Sequence, residues 1–196
     1  MPTPPAPEPR LRRLYIENCE RYSEWLMLEY RHCIQSWPGA VFTNVGDRRL
    51  FEALSPLAET RRSSLSRLAS FAPRSTIVLD PAASAPLTTG DLDRAGALVV
   101  GGILGSEGFT GKTGRLLTGR LGCRARNLGP TQLSIDSAVV VCRLVALGLG
   151  LGRIRLSTEL EIEHGDGHST VLPYGYPVLD GKVIFTPGLR EYLRKR

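Results

Sequence analysis

Several of the usual signposts of function are missing or scarce in this chain. Only four cysteines occur, Cys19, Cys33, Cys123 and Cys142, and no two make a C-x-x-C pair. The common zinc and dithiol motifs are therefore excluded, and reduced core cysteines are expected. No stretch of about 18 uncharged apolar residues exists, so no membrane span is expected. Lysine is nearly absent: Lys112, Lys182 and Lys195 are the three in the chain, and arginine supplies the other cations behind a net charge of +6. An excess of this size suits either solubility or contact with a polyanion. The Met-Pro-Thr-Pro-Pro start holds no apolar h-region, so the cytosol is the expected compartment. No metal site is expected either. His164 and His168 flank Gly165-Asp166-Gly167, which reads as turn chemistry.

What is present is an ordinary globular composition, 42% apolar and 22% charged over 196 residues. That suits one domain. Residues 1–10 carry five prolines and read as an extended, disordered lead-in to a single domain over 11–196. Leu11 to Asn18 reads as a first strand with Leu14 and Ile16 on one face. Ser23 is placed to cap a helix that Pro38-Gly39 stops. Ala40 to Val45 reads as a second short strand, and residues 47–71 as helical pieces. From Ser75 onward the pattern is strand, loop, helix. Strands are predicted at Ser75–Asp80, Ala97–Gly102 and Gly122–Leu128, with a strong helix from Ser134 to Leu147. Such alternation predicts an α/β fold with a parallel sheet flanked by helices. The tail differs. Arg153 to Glu163 alternates with period two, Asp180-Gly181 predicts a tight hairpin turn, and Thr186-Pro187 predicts the start of a last helix.

In parallel sheets, ligands sit beyond the C-terminal strand ends. Three successive strands here end in Leu79-Asp80-Pro81, in Gly101 to Gly105, and in Leu128 to Leu133. Glycines let backbone groups approach a ligand. If the three loops gather, they make a backbone-lined pocket fit for an adenine and a ribose; the plainer reading is three tight turns. Gly111-Lys112-Thr113 is not a phosphate loop, because no glycine stands five places before Gly111. Gly148 to Gly152 follows a helix and reads as its stop. Between Gly108 and Ile135 there is no Asp or Glu, while Lys112, Arg115, Arg120, Arg124 and Arg126 are present. This basic stretch suits phosphate or a solvated face. Glu159, Glu161 and Glu163 would share one face of a strand and suit a cationic partner or a guarded edge.

The motifs Tyr15-Ile-Glu-Asn18, Tyr22-Ser-Glu-Trp-Leu-Met-Leu-Glu-Tyr30, Leu79-Asp-Pro81, Gly101-Gly-Ile-Leu-Gly105 and Leu128-Gly-Pro-Thr-Gln-Leu-Ser-Ile-Asp-Ser-Ala138 occur here in one order. In that order and spacing the chain resembles the SPOUT methyltransferases, most closely the branch typified by a yeast enzyme that methylates an arginine of a small-subunit ribosomal protein. The resemblance covers about residues 14–192 and includes Pro173 to Tyr176 and Val178-Leu179-Asp180. It implies a SPOUT-type parallel sheet with a C-terminal trefoil knot, the Ser134 helix being the threaded segment. It implies S-adenosylmethionine (AdoMet) as cofactor, with S-adenosylhomocysteine (AdoHcy) as product. The cofactor would be held by Leu79, Asp80, Pro81, Gly101, Gly102, Ile103, Leu104, Gly105, Leu128, Gly129, Thr131, Gln132 and Leu133. A branched side chain at Gly102 would then fill the approach to the cofactor. The chain departs from its relatives at Ser106-Glu-Gly-Phe-Thr110, which bears on the methyl acceptor.

Arginine is a poor nucleophile while protonated, so nearby carboxylates would orient it and take its proton. Glu24 and Asp136 are the first candidates for that catalytic role and Glu17 the third, all within the matched motifs. Glu24 and Asp136 also suit first-turn helix positions. The implied substrate is a ribosomal protein, with RNA as the alternative because most SPOUT relatives methylate RNA. A ribosome-assembly binding factor is the non-enzymatic reading. The chain would act as a monomer or a homodimer.

Overall fold

The structure is a computed structural model that describes residues 13–105, 111–158, 160–164 and 168–195. The proline-rich lead-in and Ser106–Thr110 lie outside these residues. In chain order the elements are β1 (Leu14–Asn18), α1 (Glu24–Ser36), β2 (Val41–Thr43), α2 (Arg48–Leu54), β3 (Thr76–Leu79), α3 (Thr89–Arg94), β4 (Ala97–Gly102), α4 (Gly119–Leu121), β5 (Arg124–Arg126) and α5 (Ile135–Ala146). The tail adds β6 (Arg155–Ser157), β7 (Leu160–Glu163), β8 (Ser169–Leu172), β9 (Tyr176–Leu179), β10 (Lys182–Val183) and α6 (Leu189–Arg194).

Five strands form one parallel sheet in the order β2-β1-β4-β3-β5. Their side chains alternate between two buried faces, as a parallel sheet covered on both sides requires. Leu14, Ile16, Ile77, Leu79, Leu98 and Val100 join α1, α2 and α5 in one core cluster. Tyr15, Val78, Ala97 and Val99 point the other way, onto Leu65, Leu117 and Leu121. A third cluster, Ile162, Leu172, Tyr174, Tyr176, Leu189 and Leu193, packs the tail against Trp25 and Leu28 of α1.

Helix boundaries follow local chemistry. The Ser23 side chain accepts from Leu26 N and caps α1, and Ser134 accepts from Ser137 N at α5. Gly148 leaves α5 with φ +98°, a left-handed stop. Asp180 and Gly181 both have positive φ, 49° and 74°, as a two-residue hairpin turn with the right twist demands.

Two expectations for the tail need correction. The alternating run Arg153–Glu163 is not one strand: β6 pairs with β9, whereas β7 pairs with β8 in a separate hairpin. The last helix does not start at Pro187. Thr186 donates its hydroxyl to Asp136 instead of capping, and Gly188, at φ +81°, turns the chain into a helix that begins at Leu189.

Candidate functional site

Parallel strands end on the same side, and the register brings their ends level. Asn18 pairs with Gly102, while Leu79 lies between Val100 and Arg126. The loops after β3, β4 and β5 therefore meet. They enclose an open cavity of about 880 Å³, lined among others by Leu79, Asp80, Pro81, Gly101, Ile103, Leu104, Gly105, Leu128, Gly129, Thr131, Gln132 and Leu133.

Each loop is fixed by its own hydrogen bonds. Asp80 is buried; its carboxylate accepts from Ala82 N at 3.0 Å and from the Thr118 hydroxyl at 2.7 Å. Asn127 accepts from Gly129 N at 3.0 Å and donates to Ala83 O at 2.7 Å, which ties the β5 loop to the β3 loop. Gly129 has φ +102° with open space where a side chain would stand. Gly175 N donates to Gln132 O at 2.8 Å, so the tail closes over the same loop. An added Cβ on Gly105 would strike the Tyr174 ring. Arg126, at the end of β5, pairs both oxygens of Asp91 at 3.0 Å. That pairing, aided by the Thr88 bonds, outweighs the upward push of burial and holds Asp91 down at about 2.

Gly102 is the exception among the expected cofactor residues. It does not line the cavity. A Cβ there would fall on the Tyr30 hydroxyl and stand 3.0 Å from Asn18 Cα, so its smallness serves the packing of α1 on β1 and β4. The expected catalytic carboxylates do not line the cavity either. Glu17 is buried and accepts from Thr43, from Ser64 and from Leu65 N at 3.0 Å, which fastens β1 to β2 and the 64–65 turn. Asp136 is buried and accepts from Ser134, Ser137 N and Thr186, and it meets His32 Nδ1 at 2.7 Å. Glu24 stands exposed at the start of α1. Of the basic stretch, Lys112 lines the cavity and Arg126 is committed to Asp91, while Arg115, Arg120 and Arg124 are exposed. His164 and His168 close the β7–β8 hairpin, His164 N donating to His168 O at 2.9 Å.

Two carboxylates escaped the sequence reading. Glu29 is buried and accepts from Trp25 Nε1 at 2.6 Å and from Ile135 N, a cavity residue, at 2.9 Å. Burial, helped by the nearby Asp136 charge, pushes it up to about 8. Its signal was there: an acidic residue among Leu26, Tyr30 and Cys33 on the apolar face of α1, four residues after Trp25. Glu20 follows β1 and accepts from Leu104 N at 3.2 Å. It also borders a second, shallower depression with Asn18, Asn44, Gly46 and Asp47. Cys19, beside it, is held in its thiol form, burial pushing it up to about 11.

A family model described as protein arginine N-methyltransferase SFM1-like matches residues 13–196. Yeast arginine methyltransferase SFM1 in complex with SAM superposes with a TM-score of 0.83 at 21% identity, covering 94% of this chain and 90% of that one. The same yeast enzyme with SAH gives 0.82 at 21% identity over 92% and 94%. Trm10 from Thermococcus kodakaraensis gives 0.52 at 17% identity over 71% and 95%. These likenesses establish a shared SPOUT fold. No curated protein matches the chain by sequence.

Proposed function

The chain belongs to the SFM1-like protein arginine N-methyltransferases, and from that membership we propose that it transfers a methyl group from AdoMet to an arginine side chain of a ribosomal protein. The observation that carries the reading is the single cavity made by the ends of β3, β4 and β5. Its apolar walls, Leu79, Leu104, Leu128 and Leu133, suit an adenine ring. Its open-backed Gly129 and the tethered loops offer peptide groups for the ribose and base edges. Lys112 suits the carboxylate of the methionine part. The trefoil knot belongs to the same proposal, supported by the tail residue Gly175 lying against Gln132 and Leu133 ahead of α5.

When bound, AdoMet would be held by the lining that includes Leu79, Leu128, Gly129 and Lys112, and would supply an electrophilic methyl for a guanidinium nitrogen. The chain's residues hold and exclude. Tyr174 closes one side of the Gly105 loop. Asp80, locked by Thr118, keeps the β3 loop rigid. Rigid walls place the reacting atoms in line, where most of the gain in such a displacement lies. Glu17 and Asp136 fix β1, β2 and α5 around that line, and Glu24 stays a proposed orienting carboxylate at the mouth of α1.

Incubation of the protein with tritiated AdoMet and a ribosomal extract tests the reading. Label resistant to ribonuclease, lost to protease, and recovered as methylarginine after acid hydrolysis is the expected result. Label lost to ribonuclease would make RNA the acceptor and reject it.

A further inference from the structure

We infer that Glu20 is the carboxylate that receives the target guanidinium, and that the depression at the ends of β1 and β2 is the path by which the arginine arrives. This rests on the arginine methyltransferase reading. β1 ends beside β4, and Cys19 N prolongs their pairing by donating to Gly102 O at 3.0 Å. The backbone of the next residue is then clamped. Asn18 Nδ2 donates to Glu20 O at 2.8 Å, and Glu20 N donates back to Asn18 Oδ1. Asn18 is itself held by the Tyr30 hydroxyl at 2.7 Å and by Asn44 Nδ2 at 2.7 Å. From this rigid base the Glu20 side chain reaches the cavity wall, Oε1 accepting from Leu104 N. Its other oxygen has no hydrogen-bond partner among the described residues.

Glu20 therefore stands at the boundary of two spaces: bonded to a wall of the cavity, and lining the depression shared with Asn44, Gly46 and Asp47. Asp47 adds negative charge there, although its Oδ1 is committed to Leu50 N at 2.8 Å as the α2 cap. A guanidinium is a planar cation with five donors, and a half-buried carboxylate with a spare oxygen is its natural partner. Bound so, one nitrogen faces the cavity, and the proton it loses passes to the carboxylate and on to water.

Glu20→Gln tests this, because the amide oxygen keeps the Leu104 bond and only the charge goes. AdoHcy affinity would be measured by calorimetry. Binding of N-acetyl-arginine amide to the AdoHcy-loaded protein would be followed by NMR, and methylarginine formation with ribosomal extract by label. We expect AdoHcy affinity within about threefold of wild type, arginine-amide binding weakened at least about tenfold, methylation down about a hundredfold, and partial recovery in Glu20→Asp. Wild-type arginine-amide binding and methylation in Glu20→Gln would overturn the assignment. So would equal losses of AdoHcy affinity and melting temperature, which would make Glu20 structural. If the wild-type protein itself forms no methylarginine, the parent reading has failed, and that outcome is seen before any variant is made.

Discussion

Replacing Gly102 by alanine should unfold the protein far more readily without touching the cofactor cavity. Gly102 pairs with Asn18 across β4 and β1 and faces Tyr30, which is fully buried. The Tyr30 hydroxyl donates to Asn18 Oδ1 at 2.7 Å, and its ring is pinned against Phe42 with centroids 4.8 Å apart. A new Cβ would occupy the hydroxyl's place, and Asn18 Cα, 3.0 Å away, cannot give. Overpacking costs about 1–3 kcal/mol. Displacing the hydroxyl leaves a buried polar pair unmade, about 1–3 kcal/mol more. Gly102→Ala should then lose about 2–6 kcal/mol on these two terms. Tyr30→Phe alone should lose about 1–2 kcal/mol. In the double variant the missing hydroxyl makes room for the Cβ, and the lost bond counts once. The combined loss should fall short of the sum by about 2 kcal/mol. Urea denaturation followed by circular dichroism on the four proteins reads this directly. Additive losses, or a folded Gly102→Ala with weakened AdoHcy binding, would refute the packing argument and return Gly102 to the cofactor site.

Other outcomes follow from the buried charges. Glu29 holds its proton in the folded state up to about pH 8 but only to its ordinary value of 4.5 when unfolded, so stability should decline as pH rises through this window. Glu29→Gln should flatten that decline in denaturation curves taken from pH 5 to 9; an unchanged slope would remove Glu29 as its source. Asp91, held at about 2 against an ordinary 3.8, contributes stability that is complete above pH 4 and lost as pH falls toward 2. Asp91→Asn should cost about 2–4 kcal/mol at neutral pH by stranding Arg126. It should also raise the AdoHcy dissociation constant severalfold, because β5 carries the Leu128 loop.

What the sequence made legible was local and periodic. Apolar runs at Thr76–Leu79 and Ala97–Gly102 have one reading, a strand buried on both faces, and the glycine-bearing loops after them gather as the topology of parallel sheets requires. The helix cap at Ser23 is a single-residue signal and holds. The errors arise where long-range partners decide. Thr186 looks like a cap until Asp136, 50 residues away, takes its hydroxyl. Gly102 looks like its neighbour Gly101 in a glycine loop, yet strand alternation turns it toward Tyr30. Glu17 and Asp136 remain candidates from the matched motifs they lie in, but what surrounds them was not legible. Their partners, Ser64, Thr43, His32 and Thr186, are far off in sequence. Glu20 is invisible for the same reason: its importance comes from Leu104, 84 residues later.

Charge distribution at the sheet edge bears on the nature of the acceptor. The depression past β1 and β2 holds Glu20 and Asp47 against the lone cation Arg21 among its lining residues. Of the basic stretch, Arg126 is paired, Lys112 faces the cavity, Arg115 and Arg124 stand exposed outside the depression's lining, and Arg120, also exposed, is near enough to act on Cys19 within it. A phosphate backbone entering past Glu20 would meet repulsion, whereas an arginine-rich segment would meet attraction. Salt dependence separates the two by more than direction. An RNA acceptor held by several arginines loses affinity steeply, with a log-log slope of about −0.7 for each phosphate neutralised on a single strand. An arginine met chiefly by one or two carboxylates should show a shallow slope, about −1 or less in magnitude, over the same range. Glu20→Gln should flatten it further on a protein acceptor and leave it steep on RNA. Measuring kcat/KM of the wild type and this variant between 50 and 300 mM salt distinguishes them, and a steep slope insensitive to Glu20 would place the acceptor's charge on the arginine face instead.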